Sequence, residues 1–344
     1  MFLDALASDA YRRSCFPSVA APQGAATVVF AVHHLMRRRF ALVFNSTAGV
    51  AIPRRLDGVL RRMRARGSDV FQIPARNATE AAEAIAAAGR RGLCDAVIAA
   101  GGDGTFRAVA TGAAECDLPI GLIPLGTGNV LANEIGLPKK AHDLADLFID
   151  GPEIEAKGGL INGAPFFLMV GAGFDAHIVG RLNYRTKRVL GRGAYTVPVL
   201  RTLAERPRIF DVDLDGRHFE ASWLILAFAN RYAGSFRLSR DGGVGGDQLI
   251  AVVIEARSRT AMVSHVLSLA LGRLVNPETR PAGVHVLPVR RATIGRRTGV
   301  PLEVDGDEGG LSPVVIDAAG PRIRLIVPQS YVADLTDRLA NRLR

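Results

Sequence analysis

The chain has 344 residues, enough for about two domains of ~150 residues each. With 48% hydrophobic and 22% charged residues, the composition excludes a disordered or fibrous chain and supplies a sizeable core. Lys and Arg exceed Asp and Glu by 43 − 33 = 10, so the surface favours phosphates, anionic lipid headgroups or nucleic acid, but only 6% aromatic residues argue against an extended base-stacking surface.

Three cysteines (Cys15, Cys94, Cys116) form no CxxC pair, and no HExxH occurs, which argues against a disulfide scaffold and a zinc site. Reduced thiols fit a cytoplasmic protein. The uncharged stretch 14–36 is broken by Pro17, Pro22 and Gly24, so it is a poor bilayer span and lacks a compact signal-peptide core. Residues 1–38 are read as an irregular basic extension.

From residue 40 strands and helices alternate. Residues 40–44 form an apolar run that ends in Asn45-Ser46-Thr47-Ala48-Gly49, a strand then a turn. Residues 54–66 have helical spacing, with Leu56, Val59, Leu60 and Met63 on one face and arginines opposite. A strand is expected over 70–73, an Ala-rich helix over 79–91, and a buried strand over 96–100. This rhythm predicts an open α/β domain over 39–150, with its ligand at the carboxyl ends of the strands.

After Gly151-Pro152 strands dominate. Residues 210–219 alternate across Asp215-Gly216, a hairpin signal. Further strands are expected at 223–229, 248–255, 284–288 and 314–316, with one helix over 260–274. Residues 151–327 therefore read as a mainly β domain of two packed sheets, and 328–344 as an amphipathic helix returning to the first domain.

Gly101-Gly102-Asp103-Gly104-Thr105 follows the buried strand and opens a helix from Phe106. Such a turn brings backbone N–H groups to an anion, with Thr105 as helix cap and Asp103 suited to a phosphate-bound Mg²⁺. An ordinary tight turn explains it equally well. A second apolar strand, 119–124, runs into Gly126-Thr127-Gly128-Asn129, so the two turns could wall one crevice. No GxxxxGK[ST] loop is present. Far away, Glu303, Asp305, Asp307 and Glu308 crowd into six residues, either a solvated hairpin tip or the acid that a phosphate site needs.

Together these pieces resemble the diacylglycerol kinase catalytic-domain family, which includes bacterial diacylglycerol kinases and sphingosine kinases. The resemblance spans about residues 40–330. Residues 101–105 match its GGDGT signature, 126–129 its GT-x-N, Gly171-Ala172-Gly173-Phe174-Asp175 its GxGFDA segment, and Asp305-Gly306-Asp307 its Asp-Gly-Glu. The implied fold is an α/β nucleotide-binding domain plus a β-sandwich lipid-substrate domain, as in NAD kinases.

The resemblance implies an ATP- and Mg²⁺-dependent kinase for a hydroxyl of diacylglycerol or a related lipid. Asn45, Ser46, Thr47, Ala48, Gly49, Thr79, Gly101, Gly102, Asp103, Gly104, Thr105, Gly126, Thr127, Gly128 and Asn129 would bind ATP. Asp307 would be the general base, and Asp103 would organise Mg²⁺. A structural Mg²⁺ would take Asp247 and the main-chain oxygens of Val244 and Leu249. The implied partners are a lipid substrate and a peripheral membrane surface, with no nucleic acid and a possible homodimer; the basic run over residues 181–192 reads as either a docking patch for that surface or a solvated face.

The chain departs from the family pattern in several places. Ser46 replaces a proline, Arg107-Ala108 replace Asn-Glu, Val130 replaces a frequent Asp, Gln248 replaces a Gly, and Asp307 replaces Glu. The last shortens the base by one methylene, and a misplacement of ~1 Å can lower a rate about a hundredfold. Two other readings stay open: a kinase of a soluble hydroxyl, and a nucleotide- or lipid-binding regulator with weakened catalysis.

Overall fold

In the computed structural model, residues 36–44, 53–182, 191–233, 236–239, 242–246, 248–295 and 299–342 are described. The first lobe is built on β1 (Arg39–Phe44), β2 (Asp69–Gln72), β3 (Ala96–Gly101) and β4 (Pro119–Pro124), all parallel; β1, β3 and β4 carry buried apolar residues, and β2 is only partly buried. Helices α1 (Arg54–Ala65), α2 (Ala78–Arg90), α3 (Asp103–Ala114), α4 (Val130–Glu134) and α5 (Ala141–Asp150) connect or follow them.

The expected stripe of α1 is buried, and its opposite face carries Arg62, which pairs with Asp146 of α5 at 2.9 Å. Asn77 caps α2 by accepting from the Glu80 N–H at 2.9 Å.

The second lobe contains β6 (Gly159–Ile161), β7 (Ala164–Phe166), β8 (Met169–Gly173), β9 (Phe210–Leu214), β10 (Arg217–Ala221) and β11 (Trp223–Ala227). A short ribbon, β12 (Arg231–Tyr232) and β13 (Phe236–Arg237), follows. The remaining strands are β14 (Leu249–Ile254), β15 (Val284–Val289), β16 (Arg291–Ile294), β17 (Pro301–Val304), β18 (Asp307–Leu311) and β19 (Val314–Asp317). Two antiparallel sheets result, ordered β10-β9-β16-β19-β6-β7 and β15-β14-β11-β8-β17-β18. Val212, Leu214 and Ile294 from one meet Leu224, Leu226 and Val253 from the other in a common core. Asp215 and Gly216 take φ +50° and +83°, the left-handed pair that a two-residue hairpin turn requires.

Three expectations are corrected. The strands β5 (Glu153–Lys157) and β20 (Arg322–Ile326), expected inside the β domain, complete the first sheet in the order β2-β1-β3-β4-β20-β5. Ile154, Ile323 and Leu325 find their buried face there, and Arg324 pairs with Glu153 at 2.7 Å. Arg37 and Arg38, expected in the extension, belong to this lobe. Arg37 is buried, donating to the Gly151 carbonyl at 2.6 Å and facing Glu153 at 3.3 Å. Two helices of the second lobe, α6 (Phe174–Gly180) and α7 (Thr196–Ala204), were not expected; both are too short to show a repeating apolar period.

The expected helix over 260–274 is α8 (Arg259–Ala270), and α9 (Gln329–Arg342) ends the described chain. Tyr331 of α9 donates to the Val244 carbonyl at 2.8 Å, and its hydroxyl lies 3.5 Å from Glu134 of α4, so α9 ties the two lobes together.

Candidate active site

The site forms where β3 and β4 end. Leaving β3, the chain turns at Gly102 and enters α3 at Asp103, so Thr105 lies inside the first turn and does not cap the helix as expected. The Thr105 side chain fills the space above Gly101, where a Cβ would strike it. Leaving β4, the chain turns through Gly126, where a Cβ would lie 2.6 Å from the Gly102 Cα. The two glycine turns therefore touch backbone to backbone, which only residues without side chains allow.

Asp103 fixes this contact. Its carboxylate accepts the N–H groups of Val130 at 3.0 Å and Leu131 at 3.2 Å, the orphan donors at the start of α4. Asn129 supports the same turn from within. It sits at φ +46°, accepts from the Gly126 N–H at 3.0 Å and donates to the Gly126 carbonyl at 2.6 Å. The N-terminus of the 12-residue α3 then presents N–H groups and a partial positive charge to the space in front of the turns.

The second lobe supplies the opposing wall through the hairpin β17–β18. Asp305 and Gly306, at φ +50° and +86°, make its two-residue turn. The acids of this hairpin, which the sequence leaves as either a solvated tip or a site, separate into two environments. Glu303 and Asp305 are 3% and 2% exposed, while Asp307 and Glu308 are solvent-accessible. Asp305 accepts the N–H groups of Phe167, Leu168 and Met169 at 3.0, 2.8 and 3.0 Å. Burial raises its pKa to about 6 against the pull of those donors.

Glu303 accepts from the Gly306 N–H at 2.8 Å, and its Oε1 has no hydrogen-bond partner among the described residues. Burial and then the nearby charge of Asp175 push its pKa far up. Asp175, buried at the start of α6, accepts from the Ala176 N–H at 2.8 Å and lies 3.5 Å from the Tyr232 hydroxyl. Burial raises its pKa to about 7. Its carboxylate occupies the space beside Gly171, the residue that Glu303 faces across the sheet. In the sequence Asp175 belongs to a motif and Glu303 to an acidic run; their shared burial arises only when β8 and β17 pair.

Asp307 projects from the first residue of β18 onto Gly104, where a Cβ would strike its Oδ2. Its neighbour Glu308 turns the other way, toward Gly180, as alternation along a strand dictates. Arg107 of α3 reaches across from the first lobe. Its Nη1 donates to the Val304 carbonyl at 2.9 Å and its Nη2 to Asp307 Oδ2 at 3.2 Å.

A cavity of about 1350 Å³ runs between these walls. Gly102, Asp103, Gly104, Thr105, Gly126, Thr127 and Gly128 line one side, and Asp307, Asp305, Glu303 and Asp175 line the other. Gly101, Asn129 and Thr79 do not line it: the first two act within the turns, and near Thr79 the cavity wall is made by Asn77 and Ala78. Residues 45–49 lie outside the described residues, although Val43 and Phe44 at the end of β1 line the cavity. Leu168, Met169, Val199, Leu200, Val266 and Leu269 add an apolar part to its lining. Phe166, Phe167 and Phe228 are core, as their aromatic packing requires.

Among the described residues no three of His, Cys, Asp and Glu cluster as metal ligands. At the implied structural cation site, the Val244 carbonyl accepts the Tyr331 hydroxyl and Leu249 opens β14, while Asp247 lies outside the described residues. The described residues alone do not make a cation site there. The hard oxygens of Asp103, at the phosphate-type turn, would suit Mg²⁺, and each already accepts one backbone N–H group.

Residues 39–161 match the diacylglycerol kinase catalytic domain model, and residues 168–327 match the YegS C-terminal NAD kinase beta sandwich-like domain. A diacylglycerol kinase of Mycobacterium tuberculosis (strain ATCC 25618 / H37Rv) is 31% identical over 286 residues, covering 79% of this chain and 89% of that protein. The chain belongs to the diacylglycerol kinase catalytic-domain family. It is a kinase. The diacylglycerol kinase of Bacillus subtilis (strain 168) is 26% identical over 310 residues, 87% of this chain and 100% of that one. The crystal structure of a diacylglycerol kinase from Bacillus anthracis str. Sterne shares the fold, with a TM-score of 0.65 at 16% identity over 86% of this chain and 98% of that one.

Proposed function

We propose that this kinase transfers the γ-phosphoryl group of ATP to a hydroxyl of diacylglycerol or a related lipid, with Asp307 as general base. The observation that carries this reading is the position of Asp307. It comes from the second lobe, yet it stands over Gly104 at the mouth of the first lobe's phosphate-type turn, inside a cavity that is partly lined by apolar side chains.

Phosphoryl transfer asks a protein chiefly for positioning and charge neutralisation. The touching turns at Gly102 and Gly126 and the N-terminus of α3 would hold the triphosphate. Asp103 braces both turns and would help to hold the metal, directly or through water. Mg²⁺, when bound with the nucleotide, neutralises charge on the phosphate oxygens. The lipid hydroxyl oxygen bonds to the γ-phosphorus as the bond to the β,γ-bridging oxygen breaks, and its proton passes to Asp307. ADP leaves with the bridging oxygen.

The apolar lining favours acyl chains over a soluble polyol or NAD. The basic surface favours work at an anionic membrane, to which the chain would bind peripherally; among the described residues no helix is long and apolar enough to cross one.

The test is transfer of labelled γ-phosphate from Mg·ATP to diacylglycerol, monoacylglycerol, ceramide, sphingosine and phosphatidylglycerol in mixed micelles, with NAD as the soluble control and Asp307→Asn as the blank. A labelled lipid that vanishes in the blank is the expected result. Labelled NAD alone would replace the lipid reading. ATP binding with no labelled product would favour the regulator.

A further inference from the structure

The exposed large apolar side chains of the described residues are not scattered. Val197 and Leu200 of α7, Val263 and Leu267 of α8, Leu271 just past α8, and Phe236 of the β12–β13 ribbon form six of the ten. Helix α8 touches both α7 and the ribbon, so the six belong to one region. Leu200, Leu267 and Leu271 are 61%, 56% and 66% exposed. Isolated exposed leucines are ordinary, but a contiguous group marks an interaction surface.

The spacing explains how α8 serves two environments. Val263, Leu267 and Leu271 recur every four residues on the outer face, while Val266, Leu269 and Ala270 line the cavity. A helix apolar on both faces is unsuited to sit between a polar cavity and water. In α7, Val199 and Leu200 line the cavity, and Leu200 is also exposed. The cavity therefore opens between these helices through an apolar rim.

The charge around the rim has one sign. Residues 191–204 and 256–277 contain no Asp or Glu. Arg201, Arg237, Arg259 and Arg273 are exposed, and none forms an ion pair with an acid among the described residues. A second copy docked face to face would set arginines against arginines. An anionic surface with an apolar interior complements both the leucines and the arginines.

We propose that α7 and α8 form a membrane-docking face that seats the cavity mouth on an anionic phospholipid bilayer. The arginines meet headgroup phosphates, the outer leucines enter the acyl boundary, and a lipid passes into the cavity without crossing water. The placement of the face over the cavity mouth rests on the lipid-kinase reading; the binding of the face to a bilayer does not.

The experiment is flotation of the full chain with vesicles of phosphatidylglycerol and phosphatidylcholine that contain no diacylglycerol and no ATP, so the result is independent of turnover. The wild type should float with phosphatidylglycerol vesicles, and less with pure phosphatidylcholine or in high salt. Leu267→Ser with Leu271→Ser should lower partitioning about tenfold or more. Arg259→Gln with Arg273→Gln should do so by a similar factor, only on anionic vesicles, and serves should the leucine variant fail to fold. Neither pair lines the cavity, so transfer to a dispersed short-chain diacylglycerol should be unchanged. Wild type that does not float, variants that float equally well, or a wild-type dimer that the leucine substitutions dissociate would overturn the proposal.

Discussion

Arg107 and Asp307 join the two lobes across the site. From α3 the guanidinium of Arg107 spans two acceptors on the β17–β18 hairpin, the Val304 carbonyl at 2.9 Å and the Asp307 carboxylate at 3.2 Å. Both positions depart from the family's pattern, which has Asn and Glu there. The chain thus replaces a longer acid with a shorter one held by a cation from the opposite lobe. A single methylene is lost, and a two-point support is gained.

Replacing Arg107 with Ala should lower kcat about ten- to a hundredfold with little change in the KM for ATP, because the proposed base, Asp307, loses its orientation while the glycine turns stay intact. Arg107→Lys should not restore the rate, since one ammonium cannot reproduce the planar fork. Steady-state kinetics over both substrates would check this; an unchanged kcat would remove Arg107 from the mechanism.

Asp307→Asn should reduce transfer by about 10²- to 10⁴-fold while ATP still binds. Gly104→Ala should act on the same group from the other side. Its Cβ falls on the Asp307 carboxylate, so the proposed base is displaced, with an expected loss of about a hundredfold in rate. Gly126→Ala should behave differently, because its Cβ meets Gly102 backbone that cannot swing aside. Thermal denaturation should show a clear loss of stability for Gly126→Ala and a much smaller one for Gly104→Ala.

For Asp103→Asn the structure expects two defects at once. One carboxylate oxygen becomes an amide donor facing a backbone N–H, at a cost of about 1–3 kcal/mol in stability. The α4 turn then loosens, so nucleotide affinity falls as well. Thermal shift with and without Mg·ATP would measure both; full stability with lost nucleotide binding would instead assign Asp103 to the ligand alone.

The buried acids should impose a pH dependence on stability. Asp175 holds its proton in the folded chain up to a pH of about 7, against an ordinary value of 3.8. Between those limits the folded state binds more protons than the unfolded one, so stability falls as pH rises through the window and is flat on either side. Asp305, raised to about 6, adds a contribution of the same sign. Asp175→Asn can keep the contacts to Ala176 and Tyr232 and has no charge to bury. It should be more stable than wild type at pH 7, with a shallower slope between pH 4 and 7 in chemical denaturation.

Local chemistry was legible in the sequence because it depends on neighbours along the chain. The apolar stripe of α1, the glycine turns after β3 and β4, the left-handed Asp-Gly turns at 215–216 and 305–306, and the alternation that separates Asp307 from Glu308 are all properties of a few consecutive residues. So was family membership, which rests on ordered motifs. Whether an acid is buried depends instead on which strand it meets. Glu303 and Asp305 read as part of a polar tip until β17 pairs with β8 and Asp305 receives three backbone donors from residues 167–169. The return of β5 and β20 to the first sheet, the reach of Arg107 over 200 residues to Asp307, and the gathering of leucines from α7 and α8 at one rim are likewise long-range. No spacing along the chain encodes them, because they arise from burying apolar surface and satisfying polar groups over the whole fold.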